Sequence, residues 1–243
     1  MRWTGWAMAF AMTGGLCEAS GFSETFEGFS EEEWHKAHYD FGHPMFDTDW
    51  RAEMVETEEG LRLALAPHTG GLNPFAGASI RRQSPTHYGR YSATLRAAKG
   101  EGLITGFFTY TGPAYGTRHD EIDFEFLGRD TRKVQVAWFR DGALTSHMIP
   151  LPFDAAERFA TYDIDFLPGE LRWRVEGEEV FRIAGDDLPD LPQRLFLNLW
   201  AAAPGLEGWS GVPGPATEAV AEVRCVGFTP WEGTDFAADG PCG

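Results

Sequence analysis

Cysteine is nearly absent from this chain, which has three in 243 residues. There is no CxxC, no HExxH and no Cys/His cluster at ligand spacing, so neither a catalytic metal nor any other cofactor is expected. Positive charge is scarce as well. Twenty Lys and Arg against 37 Asp and Glu leave a net −17, a balance that phosphate backbones and anionic bilayers repel. Nucleic acid and membrane are therefore not expected as partners, whereas an uncharged sugar is indifferent to that charge. Helical periodicity is missing except for a short turn from Ser30 to Trp34, where Ser30 would cap Glu31, Glu32 and Glu33. No internal repeat and no linker interrupts the chain, and its length suits one large domain acting as a monomer.

The first nineteen residues read as an export signal. Arg2 supplies a positive start, Trp3 to Leu16 is apolar or small, and Cys17-Glu18-Ala19 ends on the small residues a signal peptidase reads. Residues 1–19 are assigned to the signal and 20–243 to the catalytic domain, giving a secreted or periplasmic protein. A membrane anchor is the alternative, but the apolar run falls short of the ~20 residues a span needs. A lipoprotein is another, but Leu16 stands where a small residue is required. After cleavage Cys225 and Cys242 remain. They either pair, pinning the tail to a late strand, or leave Cys225 as a buried thiol.

What the sequence does have is turn punctuation, with 29 Gly and 15 Pro scattered between short runs of alternating polarity. That spacing predicts an all-β sandwich. Tyr91, Ala93 and Leu95 alternate with Ser92, Thr94 and Arg96, and Leu171, Trp173 and Val175 with Arg172, Arg174 and Glu176. Arg194 to Trp200 reads as a more fully buried strand. The Gly- and Pro-rich stretches at 67–74 and 201–215 read as rim loops.

Glu121, Asp123 and Glu125 are spaced by two, so a strand puts all three carboxylates on one face and Ile122, Phe124 and Phe126 on the other. Nothing basic is interleaved to relieve their repulsion. One reading is a charged edge strand that blocks sheet association. The other is a catalytic pair, because glycoside hydrolysis needs one protonated and one ionised carboxyl across a single bond. Cα atoms four residues apart lie ~13 Å from each other on a strand, a gap that two Glu side chains can largely close. Asp123 between them would help hold their pKa values apart. Spacing leaves open which Glu is the nucleophile. The nearby aromatics, Phe107-Phe108-Thr109-Tyr110 and Trp138-Phe139, favour a cleft over an edge.

Over residues 22–228 the sequence resembles glycoside hydrolase family sixteen, particularly its licheninases and bacterial exopolysaccharide glycanases. The blocks carrying the resemblance are Phe107-Phe108-Thr109-Tyr110-Thr111-Gly112-Pro113 and Asp120-Glu121-Ile122-Asp123-Phe124-Glu125-Phe126-Leu127-Gly128. Trp34-His35-Lys36-Ala37, Tyr88-Gly89-Arg90-Tyr91, Lys133-Val134-Gln135, Phe153-Asp154-Ala155-Ala156 and Asn198-Leu199-Trp200 support it. The resemblance implies a concanavalin-like β-jelly-roll with a cleft on its concave sheet. It further implies endo-hydrolysis of a β-glucan with retention, Glu121 as nucleophile, Glu125 as acid/base and Asp123 as assisting acid. Phe108, Tyr110, Trp200 and Trp209 match positions that line sugar subsites, and Arg81 and Asn198 match polar substrate contacts.

The departures bear on specificity. His119 replaces the Trp of licheninases, as it does in the exopolysaccharide glycanases, and is expected to touch substrate. Ala137-Trp138-Phe139 replaces an Asn-Tyr-Tyr strand, removing three polar handles. Ser79 replaces a substrate-binding Glu, and Asp40 and Gly42 a Tyr and an Asn. Thr48 and Gly77 occupy the positions of the family's disulfide, and Arg224 that of a calcium-binding Asp, which speaks against the structural calcium. The expectation is a retaining endo-β-1,3-1,4-glucanase acting on a polysaccharide. The alternatives are the same chemistry or transglycosylation on another bacterial exopolysaccharide, such as a succinoglycan-like one, and a non-catalytic sugar-binding module.

Overall fold

A computed structural model describes residues 21–58, 60–236 and 240–242; the residues expected to form an export signal lie outside them. Alternation in the sequence becomes sixteen strands among these residues. They are β1 (Phe22–Glu24), β2 (Trp34–Lys36), β3 (Thr48–Trp50), β4 (Val55–Glu56), β5 (Leu61–Pro67), β6 (Phe75–Arg82), β7 (Gly89–Arg96) and β8 (Leu103–Thr111). Then follow β9 (Asp120–Leu127), β10 (Lys133–Arg140), β11 (Ala143–Pro150), β12 (Ala160–Leu167), β13 (Glu170–Val175), β14 (Glu178–Ala184), β15 (Arg194–Ala201) and β16 (Ala219–Pro230). The one four-residue helix, α1 (Glu207–Ser210), interrupts the expected loop at 201–215. The turn at Ser30 forms through its backbone, the Ser30 carbonyl accepting from Glu33 and Trp34, and continues as β2 rather than as a helix.

The strands run in the order β11-β10-β9-β8-β15-β6-β5-β16-β7-β12-β13-β14. Strand β6 is the hinge of this path. Its first residues pair with β5 (Pro67 opposite Phe75, Leu65 opposite Gly77) and its later ones with β15 (Leu199 opposite Ala78, Phe196 opposite Arg81). The path thereby folds over into two facing layers, the curved jelly-roll sandwich.

The core lies between the layers. Ile122, Phe124 and Phe126 of β9 are fully buried there with Tyr162, Trp173 and Phe166 of the opposite layer. Phe126 meets the Tyr162 ring edge-on at 4.7 Å, and the Trp173 indole N–H donates to the backbone carbonyl of Asp123 at 2.9 Å. The strand bearing the acids is thus anchored from behind. It has β10 on one side and β8 on the other, so the edge-strand reading is set aside.

Cys225 and Cys242 form a disulfide that ties the C-terminal residues to β16. Arg224 turns outward, its guanidinium 3.8 Å above the Phe159 ring. Thr48 and Gly77 are neighbours. A side chain at Gly77 would meet the Thr48 methyl, and Thr48 Oγ1 donates to the Ala201 carbonyl at 3.1 Å and accepts from the Ala201 N–H at 2.8 Å. Hydrogen bonds fasten the spot the family bridges covalently.

Candidate active site

Antiparallel register arranges the outward residues of the β11–β6 layer in rows across the strands. Phe139, Glu121, Tyr110 and Arg194 make one row. Ala137, Asp123, Phe108, Phe196 and Arg81 make the next, and Gln135, Glu125, Gly106, Asn198 and Ser79 the third. The rows floor an open cleft of about 750 Å³. One wall is aromatic. Phe41 packs on Phe46 and Trp50, and Phe46 stacks on Trp200 with ring centroids 4.0 Å apart.

Each carboxyl of the trio has a different environment. Glu121 Oε2 lies 2.5 Å from His119 Nε2. Glu125 Oε2 accepts from the Gln135 amide at 2.6 Å, and Gln135 Oε1 accepts from the Trp209 indole N–H at 2.9 Å. An indole N–H only donates, so it fixes the amide with its NH₂ toward Glu125. Asp123 is buried, and its Oδ2 has no partner. Burial first, then the Glu121 and Glu125 charges, push Asp123 well above the carboxylate range. Burial, followed by the Glu121 charge, raises Glu125 to about 7 against the opposing pull of Gln135. Two of the three acids thus hold protons where an exposed carboxyl would not, which resolves the repulsion foreseen for this face. His119 supplies the hydrogen-bonding partner that seemed to be lacking.

Among the other expected contacts, Phe108 and Tyr110 stand half-buried on the floor beside Asp123 and Glu121. Asn198 is buried beneath the cleft, with its Oδ1 unpartnered. Trp200 is only 3% exposed, so it backs the wall, and Trp209 and Phe46 present the surface next to it. Arg81 lies at the margin, engaged with Gln83 at 3.0 Å and facing the Tyr115 ring. Of the three handles judged lost on β10, only two concern the cleft. Trp138 points inward to Trp173 and Phe181, because alternate residues of a strand face opposite ways. Asp40 has become structural, pairing with Arg51 at 2.6 Å. Arg51 in turn lies by the buried Asp49, whose carboxylate holds the Phe41 N–H and Asn73 and so shapes the aromatic loop.

Sequence reasoning missed the roles of Gln135, Phe139, Phe196 and Phe46. Alternation along β10 places Gln135 and Phe139 on one face, but only the register sets them opposite Glu125 and Glu121. Among the described residues no group of three His, Cys, Asp or Glu could hold a metal ion, and no helix is long and apolar enough to cross a membrane.

The model for glycosyl hydrolases family 16 matches residues 42–218. A beta-glucanase of Paenibacillus macerans is 36% identical over 212 residues, covering 86% of this chain and 88% of that protein. One from Brevibacillus brevis is 35% identical over 215 residues, covering 87% and 82%. The crystal structure of a prokaryotic beta-1,3-1,4-glucanase (lichenase) from a mouse hindgut metagenome superposes with a TM-score of 0.85 at 36% identity, covering 88% of this chain and all of that one.

Proposed function

This chain belongs to the glycosyl hydrolases family 16, and from that premise we propose that it cleaves mixed-linkage β-1,3-1,4-glucan internally with retention, using Glu121 as nucleophile and Glu125 as acid/base. It is a glycoside hydrolase of the endo-β-glucanase kind. The finer assignment rests on one observation above all. Two glutamates on one strand share the cleft floor, one held by His119 and the other raised to about 7 beneath Gln135. An acid near pKa 7 can give a proton in one step and take one in the next.

In the first step a Glu121 oxygen bonds to the anomeric carbon while the glycosidic C–O bond breaks, and the Glu125 proton passes to the leaving oxygen. In the second, Glu125 takes a proton from water, the water oxygen bonds to the anomeric carbon, and Glu121 departs as a carboxylate. Protonated Asp123 next to Glu121 steadies the charge that comes and goes there. Neither step requires a metal, a cofactor or a second subunit. The composition of residues 1–19 supports export.

The altered floor favours a second reading, in which the same chemistry acts on another bacterial exopolysaccharide. Phe139 and Ser79 line the cleft, and Ala137 stands opposite Asp123 on the same face of the sheet, at positions where the resemblance implies polar side chains. Glu121→Ala tests the assignment of roles: the variant is expected to fold, to bind glucan and to lose turnover by about 10⁴-fold or more. Full activity would refute it. Product sizing on barley glucan, lichenan, laminarin and a succinoglycan-type polymer separates the two substrate readings.

A further inference from the structure

The two-step chemistry gives no part to the one imidazole on the cleft floor. His119 precedes β9 by one residue and stands two before Glu121, on the same face. Its Nε2 is 2.5 Å from Glu121 Oε2, closer than a casual contact. The ring is held in place. It stacks on Phe139 at 4.5 Å and meets Tyr110 edge-on at 5.2 Å, while its backbone carbonyl accepts from the Gly142 N–H. A ring so confined cannot swing away to follow a sugar hydroxyl without breaking both aromatic contacts.

We infer that His119 is a positioning residue for the nucleophile: it holds one oxygen of Glu121 and leaves the other for attack. The inference rests on the reading of Glu121 as nucleophile.

Other charges facing the imidazole do not duplicate this role. Glu121 and Asp123 face it from its own strand, and Tyr110 from β8, with Tyr115 beyond. Phe139 and Leu144, from β10 and β11, carry no charge. Arg118 and Arg140 are taken up by Asp120 and Asp190, and Asp120 itself is buried on the core side. Among the described residues, Glu121 is thus paired with no Lys, Arg or His side chain but His119.

Charge flow at Glu121 makes the two steps respond oppositely. On attack the carboxylate loses its charge, so a donor that grips it tightly slows the first step. On departure the carboxylate regains its charge, and a donor on Oε2 speeds the second step. Removing the donor should therefore depress kcat while sparing kcat/KM.

Two variants of the full chain test this. His119→Gln keeps a donor beside Glu121, and its kcat should stay within about threefold of the parent. His119→Phe removes the donor; kcat should fall roughly 10- to 100-fold, with the glycosyl-enzyme accumulating and visible by mass spectrometry. Parent-like kcat in His119→Phe, a fall in kcat/KM as deep as that in kcat, or a loss in His119→Gln as deep as in His119→Phe would overturn the inference. Retained turnover in Glu121→Ala would instead overturn the nucleophile reading beneath it, and the two failures are thereby distinguished.

Discussion

Single atoms separate the roles of three chemically similar side chains. Glu125 and Asp123 sit one pleat apart, yet Glu125 has an amide donor and Asp123 Oδ2 has none. The amide on Glu125 favours the ionised form and so opposes the upward push of burial. Gln135→Leu deletes that donor while preserving bulk. The Glu125 pKa should rise further, and because Glu125 must be protonated to start the reaction, the alkaline limb of kcat/KM should move to higher pH. A pH–rate profile of the variant against the parent checks this; a limb that stays or moves down would mean that Gln135 does not set it. Trp209→Phe, which frees the amide to flip, should shift the limb in the same direction by a smaller amount. None of this was legible in the sequence, since Gln135 and Trp209 are ten and 84 residues from Glu125 and meet it only through strand register and one short helix.

At the scale of elements, β6 decides the architecture. The strand leaves one layer and enters the other within a residue, at Gly77–Ala78. Close packing there requires glycine. A Cβ at position 77 would lie 2.6 Å from both the Leu199 carbonyl oxygen and the Thr48 methyl, and one of these is backbone that cannot step aside. Gly77→Ala should cost about 1–3 kcal/mol of stability, measurable as a lower midpoint in urea with an unchanged slope. The backbone of β15 would have to yield, and β15 carries Asn198, so activity should fall with stability. The sequence marks 77 as one glycine among many; its special position appears only when three strands meet around it. Strand β9 was the easier case. Its alternation of three acids with three apolar residues defined both faces, and the buried Ile122, Phe124 and Phe126 match that reading.

For the whole molecule, the cleft costs stability. Glu125 has an ordinary value of 4.5 and about 7 in the native site. Between those values the native state binds more protons than the unfolded chain, so stability falls as pH rises from about 4.5 to 7. Glu125→Gln removes the ionisable group. Its melting temperature should match the parent's near pH 4 and exceed it increasingly up to pH 8, a difference that differential scanning fluorimetry would show. A parent–variant gap independent of pH would contradict the raised value. Charges buried elsewhere in the sandwich are compensated. Asp165, for example, is buried between Arg90 and Arg174 on the far layer.

By itself the sequence determined the class of fold and the location of the chemistry. Alternation is a local property, and a strand with acids on one face and aromatics on the other can be read without neighbours. It also exposed the substitutions at 79, 119 and 137–139. Only the tertiary structure decided what each meant, because a side chain's role depends on groups brought from elsewhere in the chain. Register put Gln135 beside Glu125, the pleat turned Trp138 away from the cleft, and a salt bridge drew Asp40 into the scaffold. His119, expected to touch sugar, is held on Glu121 by Phe139 and Tyr110, and the physical reason is packing: two aromatic contacts from adjacent strands leave the imidazole one direction in which to point.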